Sequence, residues 1–111
     1  MSGEDASAVV IAFSTAPDAA PAERIARALV DAGLIACANL VPGLTSVYRW
    51  DGRVHAEPEV LLLIKTRREN VARLKERLPE LHPYAVPELV VAPVEDGLAP
   101  YCRWVLDETR P

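Results

Sequence analysis

The stretch Thr45-Ser-Val-Tyr-Arg-Trp-Asp-Gly-Arg-Val-His-Ala-Glu57 decides how this chain is organised. Two runs of strand-forming residues flank Asp51-Gly52. That dipeptide favours a two-residue type I′ hairpin turn, in which both central residues need positive φ. With the turn fixing the register, Trp50 faces Arg53, Tyr48 faces His55 and Ser46 faces Glu57. Side chains alternate faces along a strand, so Tyr48 and Trp50 share one face of the ribbon, and Val47 and Val54 share the other. An isolated two-stranded ribbon cannot bury such groups by itself. The arm needs a surface to lie on, and Tyr48 and Trp50 are the expected contact residues.

Outward from the arm, Pro42-Gly43 and Pro58 fall at nearby levels of the ladder, where they are expected to interrupt pairing and bend the ribbon. Beyond the bend, Leu34–Val41 and Glu59–Thr66 read as core strands. Nearer the N-terminus, Ala8–Thr15 is β-branched and nearly all apolar, the pattern of a strand buried on both faces. Asp18 then precedes a segment in which Ile25, Leu29 and Ala32 recur at helical spacing. This predicts a helix capped by Asp18 and stopped at Gly33. On the C-terminal side, Thr66-Arg-Arg-Glu69 has the form of a capping box. It precedes a helix whose apolar stripe is Val71, Leu74 and Leu78, ahead of Pro79. The loop His82-Pro-Tyr-Ala-Val-Pro-Glu88 leads to Leu89–Pro93, a fourth core strand ended by Asp96-Gly97. Tyr101 and Val105, one helical turn apart with Trp104 adjacent, predict a short C-terminal helix.

Residues 1–7 read as a disordered N-terminal tail and residues 8–111 as a single domain. The order is β-α-β-β-α-β plus a terminal helix. Two βαβ halves around a central hairpin predict an α+β chain of the ferredoxin-like sandwich type, with its helices on one face of the sheet. The other face would be bare, an apolar patch too large for a stable soluble monomer, so self-association is expected.

Composition agrees and excludes several classes. The 111 residues suit one domain, and half of them are hydrophobic against a quarter charged, which excludes disorder for most of the chain. Apolar runs such as Val60–Ile64 fall far short of the roughly 20 residues that span a bilayer. The N-terminus has no basic region of the kind that opens a secretory signal, so a cytoplasmic location and no membrane partner are expected. The net charge is −4 with no basic stripe, which argues against nucleic acid as a partner. Cys37 and Cys102 form no secreted-type disulfide framework and no CxxC pair.

Chemistry-bearing motifs are sparse. The common nucleophile, phosphate-loop and zincin motifs are missing, so no enzymatic activity is expected. His82 and Glu88 combine imidazole with carboxylate, a donor set suited to copper or zinc. Cys37 reads as a small buried hydrophobe. Lys65 ends an apolar strand and needs a partner, for which Glu88 or Glu59 is available.

Several spaced segments resemble the CutA family of divalent-cation tolerance proteins, across residues 8 to 110. They are STAPD at 14–18, ACANLVPG at 36–43, SVYRWDG at 46–52, the Lys65-Thr66 pair, HPYAVPE at 82–88, and Tyr101 with Trp104. The resemblance implies a ferredoxin-like homotrimer in which hairpin arms and sheet faces pack between subunits. It implies a cytoplasmic role in tolerance of copper or another divalent cation. The family's proposed copper ligands are a Cys at the end of the first strand and two adjacent His before Pro-Tyr. The corresponding residues here are Ser14, Leu81 and His82, so only His82 matches, and Glu88 is the candidate helper in a weak site. The resemblance also groups Cys37, Trp50, Lys65, His82, Tyr84 and Glu88 near a subunit boundary, as an intersubunit pocket for a small ligand. Two other readings compete. One is a trimeric small-ligand signalling module like the PII regulators, whose long flexible loop is replaced here by the tight Asp51-Gly52 turn. The other is a structural trimer scaffold. An acylphosphatase-like enzyme would need an Arg in the loop after the first strand, where this chain carries only Asp18.

Overall fold

The computed structural model describes residues 3–110. Its elements run α1 (Gly3–Ser7), β1 (Val9–Ala16), α2 (Ala19–Asp31), β2 (Cys37–Trp50), β3 (Arg53–Arg67), α3 (Val71–Leu81), β4 (Val90–Pro93) and α4 (Ala99–Asp107). All strand pairs are antiparallel, in the order β2-β3-β1-β4. The α+β class and the element order expected from the sequence are both present. No described helix is long and apolar enough to cross a membrane.

The hairpin register matches the reading of Asp51-Gly52. Trp50 pairs with Arg53, Tyr48 with His55 and Ser46 with Glu57. Both turn residues have positive φ, Asp51 at 53° and Gly52 at 75°, which is why a glycine and a short polar residue stand there. Pro42-Gly43 form the expected irregularity between Val41 and Leu44. Pro58 does not interrupt the ladder but sits opposite Thr45. Its missing N–H is tolerated because β1 pairs with β3 only from Val60 onward.

That irregularity has a geometric effect. A one-residue slip moves every side chain to the other face of a strand. Below it, Cys37, Asn39 and Val41 stand opposite Lys65, Leu63 and Leu61; above it, Leu44, Ser46 and Tyr48 stand opposite Glu59, Glu57 and His55. The odd-numbered side chains of lower β2 and the even-numbered ones of the arm therefore share a face with Glu57, Glu59, Leu61, Leu63 and Lys65 of β3.

The opposite face is the core. Ala12, Ala16, Leu62 and Ile64 from the sheet meet Ile25 and Leu29 of α2 and Leu74 and Leu78 of α3, all fully buried. Ala32 is exposed because α2 ends at Asp31, one residue short of the expected stripe. The bare face is half-exposed at Ile11, Phe13, Leu61 and Leu63. It is not bare throughout: at its lower end Val9, aligned with Ile11 by alternation, is buried with Ala6, Cys102 and Val105. The expectation of helices on one face is corrected to that extent, since α1 and α4 cap the end of the other.

Four further expectations change. Gly3–Ser7 is helical where a disordered tail was read, because Ala6 is fully buried against α4 and Asp5 pairs with Arg103 at 3.4 Å; residues 1 and 2 lie outside the described residues. Thr66 is no helix cap. It belongs to β3, which β1 extends through Thr66 and Arg67, and its Oγ1 donates to Leu34 O at 2.6 Å. A 3-10 turn, Arg68–Asn70, follows before α3 begins, and α3 continues past Pro79 to Leu81. Asp18 holds the N-cap position with an extended backbone but makes no side-chain cap bond. Finally, β4 is no core strand in the single chain: it is an edge strand, and Val90 is 56% and Val91 38% exposed.

Candidate functional site

The arm and the 82–88 loop enclose a cleft of about 740 Å³. One wall is the arm face defined above, with Tyr48, Trp50, Glu57 and Glu59; the other is the loop, with Tyr84, Val86 and Glu88, and Thr15 of β1 lies between them. The volume lies within the roughly 300–1,000 Å³ of small-molecule sites.

The loop holds its place through polar ties to β1 and β3. Ser14, fully buried, donates from Oγ to Glu88 O at 2.7 Å. His82 closes α3 and donates from Nε2 to Thr15 O at 2.7 Å, while its Nδ1 accepts the Tyr84 N–H at 3.1 Å. The two bonds together fix the Nε2–H tautomer. Tyr84 packs on the imidazole with centroids 4.8 Å apart and donates its hydroxyl proton to Glu59 Oε2 at 2.7 Å. Desolvation first, and then the bonded Glu59, push the Tyr84 phenol above its ordinary value. Desolvation and the neighbouring Glu59 charge raise the Glu88 carboxyl likewise, against a hydrogen bond with Thr15. At the arm, Tyr48 stacks on its register partner His55 with ring centroids 5.2 Å apart.

This geometry bears on a resident metal. A ligating imidazole needs a free ring lone pair. His82 spends its only one on the Tyr84 N–H, its other nitrogen carries the proton donated to Thr15, and the residue is 8% exposed. Ser14 is committed to the Glu88 carbonyl, and Leu81 has no donor. Among the described residues no three His, Cys, Asp or Glu side chains gather as a metal-binding group. As placed, the residues carried over for copper do not fit it.

The remaining pocket residues lie elsewhere. Cys37 and Lys65 are register partners at the lower end of the sheet. Lys65 is not paired with Glu59 or Glu88 as expected; its Nζ donates to Asn39 Oδ1 on the adjacent strand. Along β3, the six residues from Glu59 to Lys65 span about 20 Å, too far for an ion pair. Cys37 is half-buried rather than core, with its Sγ 3.7 Å from the Tyr101 hydroxyl. Desolvation and that thiol push the Tyr101 phenol up to about 12. Tyr101 and Trp104, centroids 5.6 Å apart, remain 45% and 41% exposed beside it. Cys102 is buried packing, and both cysteines are free thiols.

The structure thus brings Trp50, Tyr84 and Glu88 together, sets His82 behind Tyr84, and leaves Cys37 and Lys65 at a second corner of the same face. Sequence reasoning missed Glu57 and Glu59 as cleft residues. The register held the signal, because the pairing of Ser46 with Glu57 already placed Glu57 on the face of Tyr48 and Trp50, with Glu59 two residues further along it.

Comparison with known proteins agrees in sequence and in fold. A family model described as CutA1 divalent ion tolerance protein matches residues 10–108. The divalent-cation tolerance protein CutA of Thermus thermophilus is 46% identical over 99 residues, covering 89% of this chain and 96% of that protein. Human protein CutA is 43% identical over 109 residues, covering 98% of this chain but only 61% of the human protein. Among solved structures, CutA of Xylella fastidiosa superposes with a TM-score of 0.91 at 42% identity, covering 94% of this chain and all of that one. CutA1 of Oryza sativa gives 0.91 at 35% identity, covering 96% and 97%. This chain belongs to the CutA1 divalent ion tolerance family.

Proposed function

We propose that this protein acts as a homotrimer of ferredoxin-like subunits, whose arm clefts take up a small ligand at the subunit boundary, in the cytoplasm and without catalysis. The observation that carries this reading is the arm itself. Tyr48 and Trp50 are 39% and 57% exposed on the arm face that continues the half-exposed face of the sheet. Exposed apolar surface of that kind, continuous with the half-exposed sheet face, marks an interaction surface. A second copy is the economical cover. It would also explain why Lys65 stands about 20 Å along β3 from Glu59: a pocket built from both corners needs them from different copies.

The role in divalent-cation tolerance, on this reading, does not run through a resident copper centre at His82. Copper contact at His82 and Glu88 requires the ring to give up the Tyr84 N–H or the Thr15 carbonyl. Calorimetric titration should therefore find copper(II) binding no tighter than micromolar, about −8 kcal/mol or weaker. Nanomolar binding lost in His82→Ala would contradict this. The assembly is tested by unfolding. Because a trimer holds its fold by association, the denaturant midpoint should rise with protein concentration. A midpoint constant over a hundredfold range of concentration would overturn the proposal.

A further inference from the structure

We propose that the subunit boundary is head to tail, with Lys65 of one copy paired to the Glu59 carboxylate at the arm base of the next. This rests on the homotrimer reading and adds which surface meets which, and so the residue that each cleft receives from a second copy.

Lys65 and Glu59 stand on one face of β3, six residues and about 20 Å apart. Each end of that open face carries a charge that its own chain leaves uncompensated. Among the described residues neither Lys65 nor Glu59 makes an ion pair. Lys65 donates to Asn39, but that partner is a neutral amide, and an ammonium has three protons to donate. Tyr84 uses one acceptor position of Glu59, and a carboxylate offers about four. Within one chain the two charges cannot compensate each other, because their separation exceeds the screening length of about 8 Å at physiological ionic strength. A free cation would satisfy Glu59 and leave Lys65 as it is. A second copy satisfies both ends at once.

Length and charge together choose the direction of docking. From Glu59 to Arg53 the arm runs another six residues, about 20 Å. The arm of one copy is therefore as long as the open stretch of β3 in another. Laid one way along that stretch, the arm base meets the Lys65 end. Laid the other way, it sets Glu59 against the second copy's own Glu59, and like charges placed so suppress that docking. The aromatic groups agree with the first direction. Tyr101 and Trp104 are 45% and 41% exposed beside Cys37, the register partner of Lys65, and Tyr48 is 39% exposed on the arm. Aromatic side chains of this kind are enriched at the cores of interfaces. In a ring of three, each copy offers its Lys65 corner to one neighbour and its arm base to the other.

The test follows the dissociation of the full chain by sedimentation over a range of concentrations. It compares Lys65→Glu, Glu59→Lys, the double variant carrying both changes, and an equimolar mixture of the two single variants. Each reversal should raise the concentration of half-dissociation about tenfold or more. The double variant should return to within about threefold of the unchanged chain. The mixture should recover only in part, because a ring of three cannot alternate two kinds of chain and keeps a boundary between like variants. Full recovery in the mixture overturns the head-to-tail ring. Reversals that leave association unchanged, or a double variant as weak as the single ones, overturn the pairing while the trimer of the unchanged chain stands. An unchanged chain that sediments as one copy overturns both. Should circular dichroism show that a reversal disturbs the fold, Lys65→Met and Glu59→Gln replace the reversals, the Gln keeping an acceptor for Tyr84. Each should then weaken association, and the two combined should weaken it no further than one alone. Additive losses overturn the pairing.

Discussion

The β2–β3 ladder is one hairpin with two fates. At its lower end Leu62 and Ile64 are fully buried beneath α2 and α3, whereas near its tip Val47 and Val54 are 69% and 63% exposed. Strand propensity and pairing are alike at both ends, so backbone geometry does not distinguish them. What differs is the layer above the sheet. The lower strands draw stability from helices of their own chain, and the arm finds no such cover there. A hairpin extending to give the molecule a 47 Å long axis, against 25 and 23 Å across, is a surface waiting for a second body.

This contrast can be broken by substitution, beginning with the largest effect. Leu62→Ala removes a fully buried side chain from beneath the helix layer and should cost about 2–5 kcal/mol in denaturant unfolding. A loss under about 1 kcal/mol would mean that the helix layer is not the anchor described here. Trp50→Ala should act on association instead. Truncating a buried interface anchor costs about 2 kcal/mol or more, so sedimentation should show dissociation at higher concentration while the helical circular dichroism signal persists. Unchanged association would show that the arm lies free.

A smaller effect comes from the cleft. Because the folded-state pKa of Glu88 is raised, ionisation at neutral pH opposes folding. This penalty fades as pH falls through the raised value towards the ordinary carboxylate range, where the unfolded chain protonates as well. Glu88→Gln should therefore stabilise at pH 7 by under about 1 kcal/mol, since the group is solvent-screened, and by nothing near pH 3. Equal stabilisation at both pH values would assign the gain to something other than charge. The smallest effect is expected of Val54→Ala, on the arm face opposite Trp50, at within about 0.5 kcal/mol. A cost matching that of Leu62→Ala would sharpen the comparison, because it would show both arm faces buried in the assembly.

Much of this architecture was legible in local signals. Asp51-Gly52 set the register of the arm as far as Leu44 and Glu59, beyond which the irregularity after Val41 shifts the pairing by one residue. The Ile25–Leu29 and Leu74–Leu78 spacings identified the buried stripes of α2 and α3. The failures share a cause, which is tertiary competition for a local group. Thr66 looked like a cap, but pairing with β1 kept it in a strand, where its hydroxyl reaches Leu34. Gly3–Ser7 carries little helical signal and is ordered by the burial of Ala6 against α4. Lys65 turned to Asn39 on the adjacent strand, since Glu59 lies about 20 Å away along β3. In the cleft, Trp50, Tyr84 and Glu88, grouped only by the family resemblance, line the same cavity. The engagement of both His82 nitrogens was not legible, since it depends on where a loop folds back onto β1.

The measurement that bears most directly on the account is the mass of the protein in solution, by light scattering coupled to size exclusion at micromolar concentration. The account predicts a single species at three times the 12.1 kDa chain mass. A stable, folded species at 12.1 kDa would contradict it, because the arm and the open sheet face would then stand uncovered.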